Sequence, residues 1–129
     1  MSQEIAELKA FVRAFLRQNM EAVPPQNPSS GKVHLEVWRS PGKRRPVGLE
    51  MDHDAFVNLW LVRMNVPQSL PASVAVVQKE PKGRGWTDAE GKGANSNLSG
   101  YDEFRTKRIT RLAVQSVDDA RIVLEALLP

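Results

Sequence analysis

The sequence predicts an α+β fold: a single, mainly antiparallel five-stranded sheet with an N-terminal and a C-terminal helix, in the order α-β-β-β-β-loop-β-α. Three observations predict it. An apolar stripe repeating at three and four residues opens the chain, and a second one closes it. Between them lie short alternating or valine-rich runs separated by turn residues. Strands that follow one another in sequence, with helices only at the ends, favour an antiparallel sheet with helices packed on it. At 129 residues the chain has the length of one domain, so residues 1–129 are read as a single globular unit.

The first helix is expected over residues 3–20. Ile5, Leu8, Val12, Phe15 and Leu16 form its stripe, and Ser2 is its candidate N-cap. Its polar face mixes Glu4, Glu7, Lys9, Arg13 and Arg17, which argues against a membrane-surface helix. The run "AVPPQNPSSGK" that follows carries three prolines and a glycine, and reads as a long irregular connection.

Three strands come next, Val33–Arg39, Pro46–Asp52 and Phe56–Val62, with turn signals "SPGKRR" and "HDA" between them. Short loops predict a meander. Setting Glu36 opposite Glu50, and Glu50 opposite Asn58, gathers Leu35, Val37, Val47, Leu49, Met51, Val57, Leu59 and Leu61 on one core-facing side. The other side then carries His34, Glu36, Trp38, Gly48, Glu50, Asp52, Phe56, Asn58 and Trp60, with the two tryptophans covering Gly48. Ser73–Lys79 is a fourth strand because three valines fall within four residues. "RITRLAVQ" is the fifth. "SVDDARIVLEALLP" is the closing helix, and Ser116 with Asp119 three residues later makes its capping box.

Composition narrows the function classes. No cysteine is present, which excludes disulfides and thiolate metal sites. No apolar run reaches the length of a membrane span, and the N-terminus lacks the charge order of a signal peptide. The expectation is a soluble cytoplasmic protein that does not engage a membrane. Net charge is only +3, but the cations are clustered. "RSPGKRR" (Arg39–Arg45) and "RTKRITR" (Arg105–Arg111) each carry four positive charges and no acid.

Residues Lys82–Phe104, "KGRGWTDAEGKGANSNLSGYDEF", have the Gly/Lys/Ser vocabulary of a phosphate loop. The spacing excludes a Walker A motif, since five residues separate Gly85 from Gly91 and Gly93 follows Lys92. G-x-G-x-x-G fails because Ser96 stands where the third glycine belongs. A weaker anion nest, with Lys92, Ser96 and Ser99 contributing, stays open beside ordinary turn geometry. Trp86, Leu98, Tyr101 and Phe104 give the segment apolar anchors, so its second half should pack on the sheet. A helical turn within "SNLSGYDEF" would be capped by Ser96 or Ser99.

Three constellations bear on chemistry. Glu36, Glu50 and Asp52 would share a face and could hold a hard divalent cation for phosphodiester hydrolysis, with Lys79 or Lys82 nearby. The competing reading is a solvent-facing strand surface ending in a turn. His34 and His53 lack ligand spacing, and neither a cysteine nor G-x-S-x-G supplies a nucleophile. No cofactor or metal is implied. Trp38, Trp60 and Trp86 could stack bases beside the cations, or lie covered in a second core, the weightier of the two readings.

The leading expectation is therefore a small basic binding module rather than an enzyme. Its ligand would be nucleic acid or another phosphate-bearing partner. Its contacts would come from Lys43, Arg44 and Arg45, from Lys82, Arg84, Lys92, Ser96 and Ser99, and from Arg105, Lys107, Arg108 and Arg111, with Trp38, Trp60 and Trp86. One alternative is an accessory or inhibitor protein that docks on a protein partner through the tryptophan face or the 82–104 loop. The other is a metal-dependent phosphodiesterase or nuclease using the strand carboxylates.

Overall fold

A computed structural model describes residues 3–24 and 35–128. Ser2, His34, Val33 and most of the proline-rich connection lie outside the described residues. The elements run α1 (Gln3–Asn19), β1 (Glu21–Val23), β2 (Glu36–Arg39), β3 (Pro46–Glu50), β4 (Val57–Val62), β5 (Ala75–Lys82), β6 (Gly85–Thr87), β7 (Ile109–Val114) and α2 (Val117–Glu125). Short 3-10 helices follow β4 (Arg63–Asn65) and β6 (Ser96–Gly100).

The architecture is α+β, with two helices on an antiparallel sheet, as expected. The strand number differs: seven strands lie in the order β1-β2-β3-β4-β7-β5-β6. The five expected strands are all present. The two added ones have three residues each, too few to show a period in sequence. β1 overlaps the start of the run read as irregular, just ahead of its first proline, and pairs Ala22 with Trp38. β6 turns the start of the long loop into a hairpin with the end of β5. Gly83, at φ 58, takes the first central position of its two-residue turn, where an L side chain would be strained.

Register is right for β3 against β4, where Gly48 pairs with Trp60 and Glu50 with Asn58. It is one residue off for β2. Glu36 pairs with Leu49, and Val37 with Gly48. A slip of one exchanges the faces of a strand. Leu35 and Val37 therefore leave the face of Val47 and Leu49, and Glu36 and Trp38 leave the face of Glu50 and Trp60. The expectation failed because it gathered the aliphatic residues of all three strands on one face, whereas Leu35 and Val37 belong to the core on the other.

On the helix side, Ile5, Leu8, Val12 and Leu16 of α1 and Ala120, Val123 and Leu124 of α2 meet Val47, Leu49, Leu59, Leu61, Leu112 and Val114. Trp38 packs at the margin of this core. On the opposite side, Leu35, Val37, Trp60, Val62 and Ile109 are covered by Trp86, Leu98, Tyr101 and Phe104 of the long loop. Burying each large side chain there contributes about 2 kcal/mol. Gly48 lets the loop settle this closely. A Cβ at that position would stand 3.2 Å from Leu98 Cδ2 and 3.2 Å from Trp60 Cβ. The loop is thus an anchored cover, and its tryptophan is part of the seal. Ser116 caps α2 as expected, accepting from the Asp119 backbone N–H at 3.1 Å. The cap of the Ser96–Gly100 turn is instead Asn95, whose Oδ1 accepts from the Asn97 N–H at 2.9 Å.

Candidate functional site

Antiparallel pairing sorts the charges by sheet end. The turn from β2 to β3, the exit of β4 at Arg63, the β5–β6 turn and the entry to β7 all lie at one end. Both arginine-rich blocks and the cations of the loop hairpin therefore begin at that end. The acids among them are engaged. Arg39 approaches Glu21 at 3.6 Å and Glu103 at 3.4 Å. Glu80 holds Arg63 at 2.7 Å and Arg108 at 3.1 Å, and Asp102 holds Arg105 at 3.1 Å. Arg45 donates to the Ala126 carbonyl at the C-terminus of α2, where a cation is favoured by the helix dipole. Lys43, Arg44, Lys82, Arg84 and Lys107 are exposed, and their side chains have no acidic partner among the described residues.

Within this end, Gly83, Arg84, Ser99, Gly100, Arg105 and Thr106 line a cleft of about 470 Å³. Arg105 Nε donates to the Ser99 carbonyl at 3.1 Å, tying the β7 entry to the 3-10 turn. Thr106 sits at φ 62, a left-handed conformation that a β-branched residue rarely adopts. The chain holds this strain at the mouth of its basic cleft.

Not every expected contact residue converges here. Lys92 lies apart, 3.6 Å from Glu90, and the Ser96 carbonyl accepts from Ser99 Oγ. The anion nest suggested by the glycine-rich segment exists, but the chain fills it itself. Asp88 Oδ1 accepts from the backbone N–H groups of Glu90 and Lys92, each at 2.9 Å. Asp88 Oδ2 accepts from Lys79 Nζ at 2.8 Å, and Lys79 also donates to the Lys92 carbonyl at 3.2 Å. Lys79 is 1% exposed, so this ion pair is a buried latch for the loop. The Lys79 ammonium, then the Lys92 and Glu90 amides, hold the Asp88 carboxyl down at about 2.

The tryptophans do not form a stacking platform. Trp60 is 2% and Trp86 6% exposed, and Trp38 is on the other face. Trp86 Nε1 donates to the Lys107 carbonyl at 2.7 Å, satisfying the indole inside the second core.

The carboxylate constellation is dispersed. Glu36, on the helix side, pairs with Arg13 at 3.0 Å. Asp52 lies past the end of β3, beside His53 at 3.8 Å. Glu50 has both oxygens occupied by neutral donors. Trp60 Nε1 at 2.7 Å and Asn58 Nδ2 at 3.1 Å donate to Oε1, and Asn95 Nδ2 at 2.7 Å donates to Oε2. No group of three His, Asp or Glu among the described residues is placed to hold a metal. Glu50 is a staple between sheet and loop.

Sequence reasoning passed over the partners of that staple. Asn58 is a lone amide inside the apolar run "VNLWLV", and that interruption was the available signal. Its amide lies between Glu50 and His53 Nε2, the latter at 3.3 Å. Arg111, grouped in sequence with Arg105–Arg108, is separated from them by the strand. It pairs across the sheet with Trp60, and its guanidinium lies over that indole, 5.9 Å from the ring centroid.

No protein-family model matches the chain, and comparison with the curated proteins and with the solved structures returns no match. No helix among the described residues is long and apolar enough to cross a membrane.

Proposed function

We propose that the chain is a binding module for the phosphate backbone of nucleic acid, engaged through the basic end of its sheet. The observation that carries this reading is the placement of Lys43 and Arg44 with Lys82, Arg84 and Lys107 along the same sheet end, all exposed and without acidic partners among the described residues. Local acids are already neutralised by other arginines, so these five cations remain available to a polyanion. The cleft beside Arg84 and Arg105 offers a seat for one phosphate.

Burial of Trp60 and Trp86 argues for backbone contacts without base stacking, and so for weak dependence on sequence. Fluorescence anisotropy with single- and double-stranded oligonucleotides across a salt series tests this. Affinity should fall steeply with salt, and each lost phosphate contact should flatten the log–log slope by about 0.9 on duplex DNA. The paired reversals Lys43→Glu/Arg44→Glu and Lys82→Glu/Arg84→Glu should each weaken binding and flatten that slope. Absence of binding at low salt would end this reading and favour a protein partner.

A further inference from the structure

A second cleft, of about 540 Å³, opens on the loop-covered side of the sheet, away from the basic end. Its floor is a row across three strands. Asn58 of β4 pairs with Ala113 of β7, which pairs with Ala75 of β5. The next row toward the basic end is Trp60, Arg111 and Val77. Two alanines therefore leave a trough in a face that is elsewhere filled by large side chains. Gly93 and Ala94 continue the small-residue lining on the loop side, and His53, stacked on Phe56 at 4.4 Å, lies on the other.

Two polar groups in this trough have unmet capacity. Arg111 is half-buried, and its guanidinium has neither an ion pair nor a hydrogen bond among the described residues. The one carboxylate among the described lining residues, Glu50, is committed to Trp60, Asn58 and Asn95 and does not serve as its counter-ion. Asn58 is 3% exposed, and its Oδ1, itself buried, has no hydrogen-bond partner among the described residues. A guanidinium fork lying over an indole can receive a carboxylate through two parallel hydrogen bonds. An orphan amide oxygen calls for a donor.

We propose that this cleft binds a compact organic carboxylate whose apolar body carries a hydroxyl or amino donor. The carboxylate sits on Arg111, the body lies over Ala113 and Ala75, and the donor meets Asn58 Oδ1. A monoanion fits better than a phosphate dianion, because Arg111 is the one lysine or arginine among the described lining residues and Glu50 already contributes a negative charge. The site shares no lining residue with the Arg84 cleft and stands independently of nucleic-acid binding.

The test is a titration of the intact protein with benzoate, the three hydroxybenzoates and inorganic phosphate, followed by calorimetry and by NMR of the Ala75 and Ala113 methyls. At least one hydroxybenzoate should bind more tightly than benzoate or phosphate and shift both methyls. Arg111→Met keeps an apolar stem over Trp60 and should weaken binding about tenfold or more. Ala113→Leu fills the floor and should abolish it, while Lys82→Gln/Arg84→Gln should leave it unchanged. Lack of hydroxybenzoate binding in the millimolar range overturns the proposal. So does binding that survives both Arg111→Met and Ala113→Leu, or phosphate binding as tightly as the best hydroxybenzoate.

Discussion

Replacing Glu50 with glutamine separates a structural carboxylate from a chemical one. The substitution keeps shape but exchanges one acceptor oxygen for an NH₂ group. If the remaining oxygen faces Trp60 Nε1 and Asn58 Nδ2, the new amide confronts Asn95 Nδ2, which now lies 2.7 Å from a carboxylate oxygen. The opposite orientation sets it against two donors. Asn95 has little freedom to adapt, because its Oδ1 caps the following 3-10 turn. One charge-assisted hydrogen bond is lost and one donor is left facing another. Allowing for the partial exposure of Glu50, this costs about 2 kcal/mol. For a chain of this length that lowers Tm by about 8 °C. Urea and thermal unfolding of Glu50→Gln, Asn95→Ala and the double variant measure it, with a coupling of about 1 kcal/mol expected between the two sites. A Glu50→Gln protein within about 0.5 kcal/mol of wild type, or strict additivity with Asn95→Ala, would refute the staple.

Two further predictions concern the loop and its edges. The folded Asp88 carboxyl is held at about 2 against an ordinary 3.8, so its stabilisation is present above pH 4 and is lost as pH falls through 2. Asp88→Asn should remove that part of the acid dependence, so unfolding curves for variant and wild type should converge between pH 4 and pH 2. An unchanged gap across this window would contradict it. Thr106→Gly should relieve the left-handed strain at φ 62 and raise stability by about 1 kcal/mol, as read by denaturant midpoint; a loss of stability would show that the threonine side chain outweighs its backbone cost.

The helices and five principal strands were legible because each carries a period or a cap in its own residues, down to the Ser116 cap of α2, although the Asp119 carboxylate expected to complete its box accepts from Ser73 Oγ instead. What escaped was set by partners distant in sequence. Leu35 and Val37 announce an apolar face, but only the cover of Leu98, Tyr101 and Phe104 says which one. β1 and β6 exist because neighbouring strands offer them hydrogen bonds, since three residues cannot show a pattern. The candidate site was legible in part. The arginine blocks were visible as charge, and topology alone separates Lys92 and Arg111 from the rest. Likewise, nothing local marks Asp88 as the ion that fills the glycine-rich nest, or Lys79 as its buried counterpart.

The sorting of charge by sheet end has a consequence beyond contact. The basic turns occupy one end of the strands, while Glu50, Asp52, Asp54 and the Asp118–Asp119 start of α2 occupy the other. A net charge of +3 is a weak monopole, but this separation gives the described part of the molecule a charge asymmetry along its strands. For the polyanion binding proposed above, such an asymmetry would exert a torque within about a Debye length, about 10 Å at 0.1 M salt, and would turn the basic end forward before any residue touches. In the absence of a polyanion and at low ionic strength, the same asymmetry favours head-to-tail encounters between copies. Under the proposed binding, salt would therefore act twice, on the strength of the contacts and on the orientation of arrival.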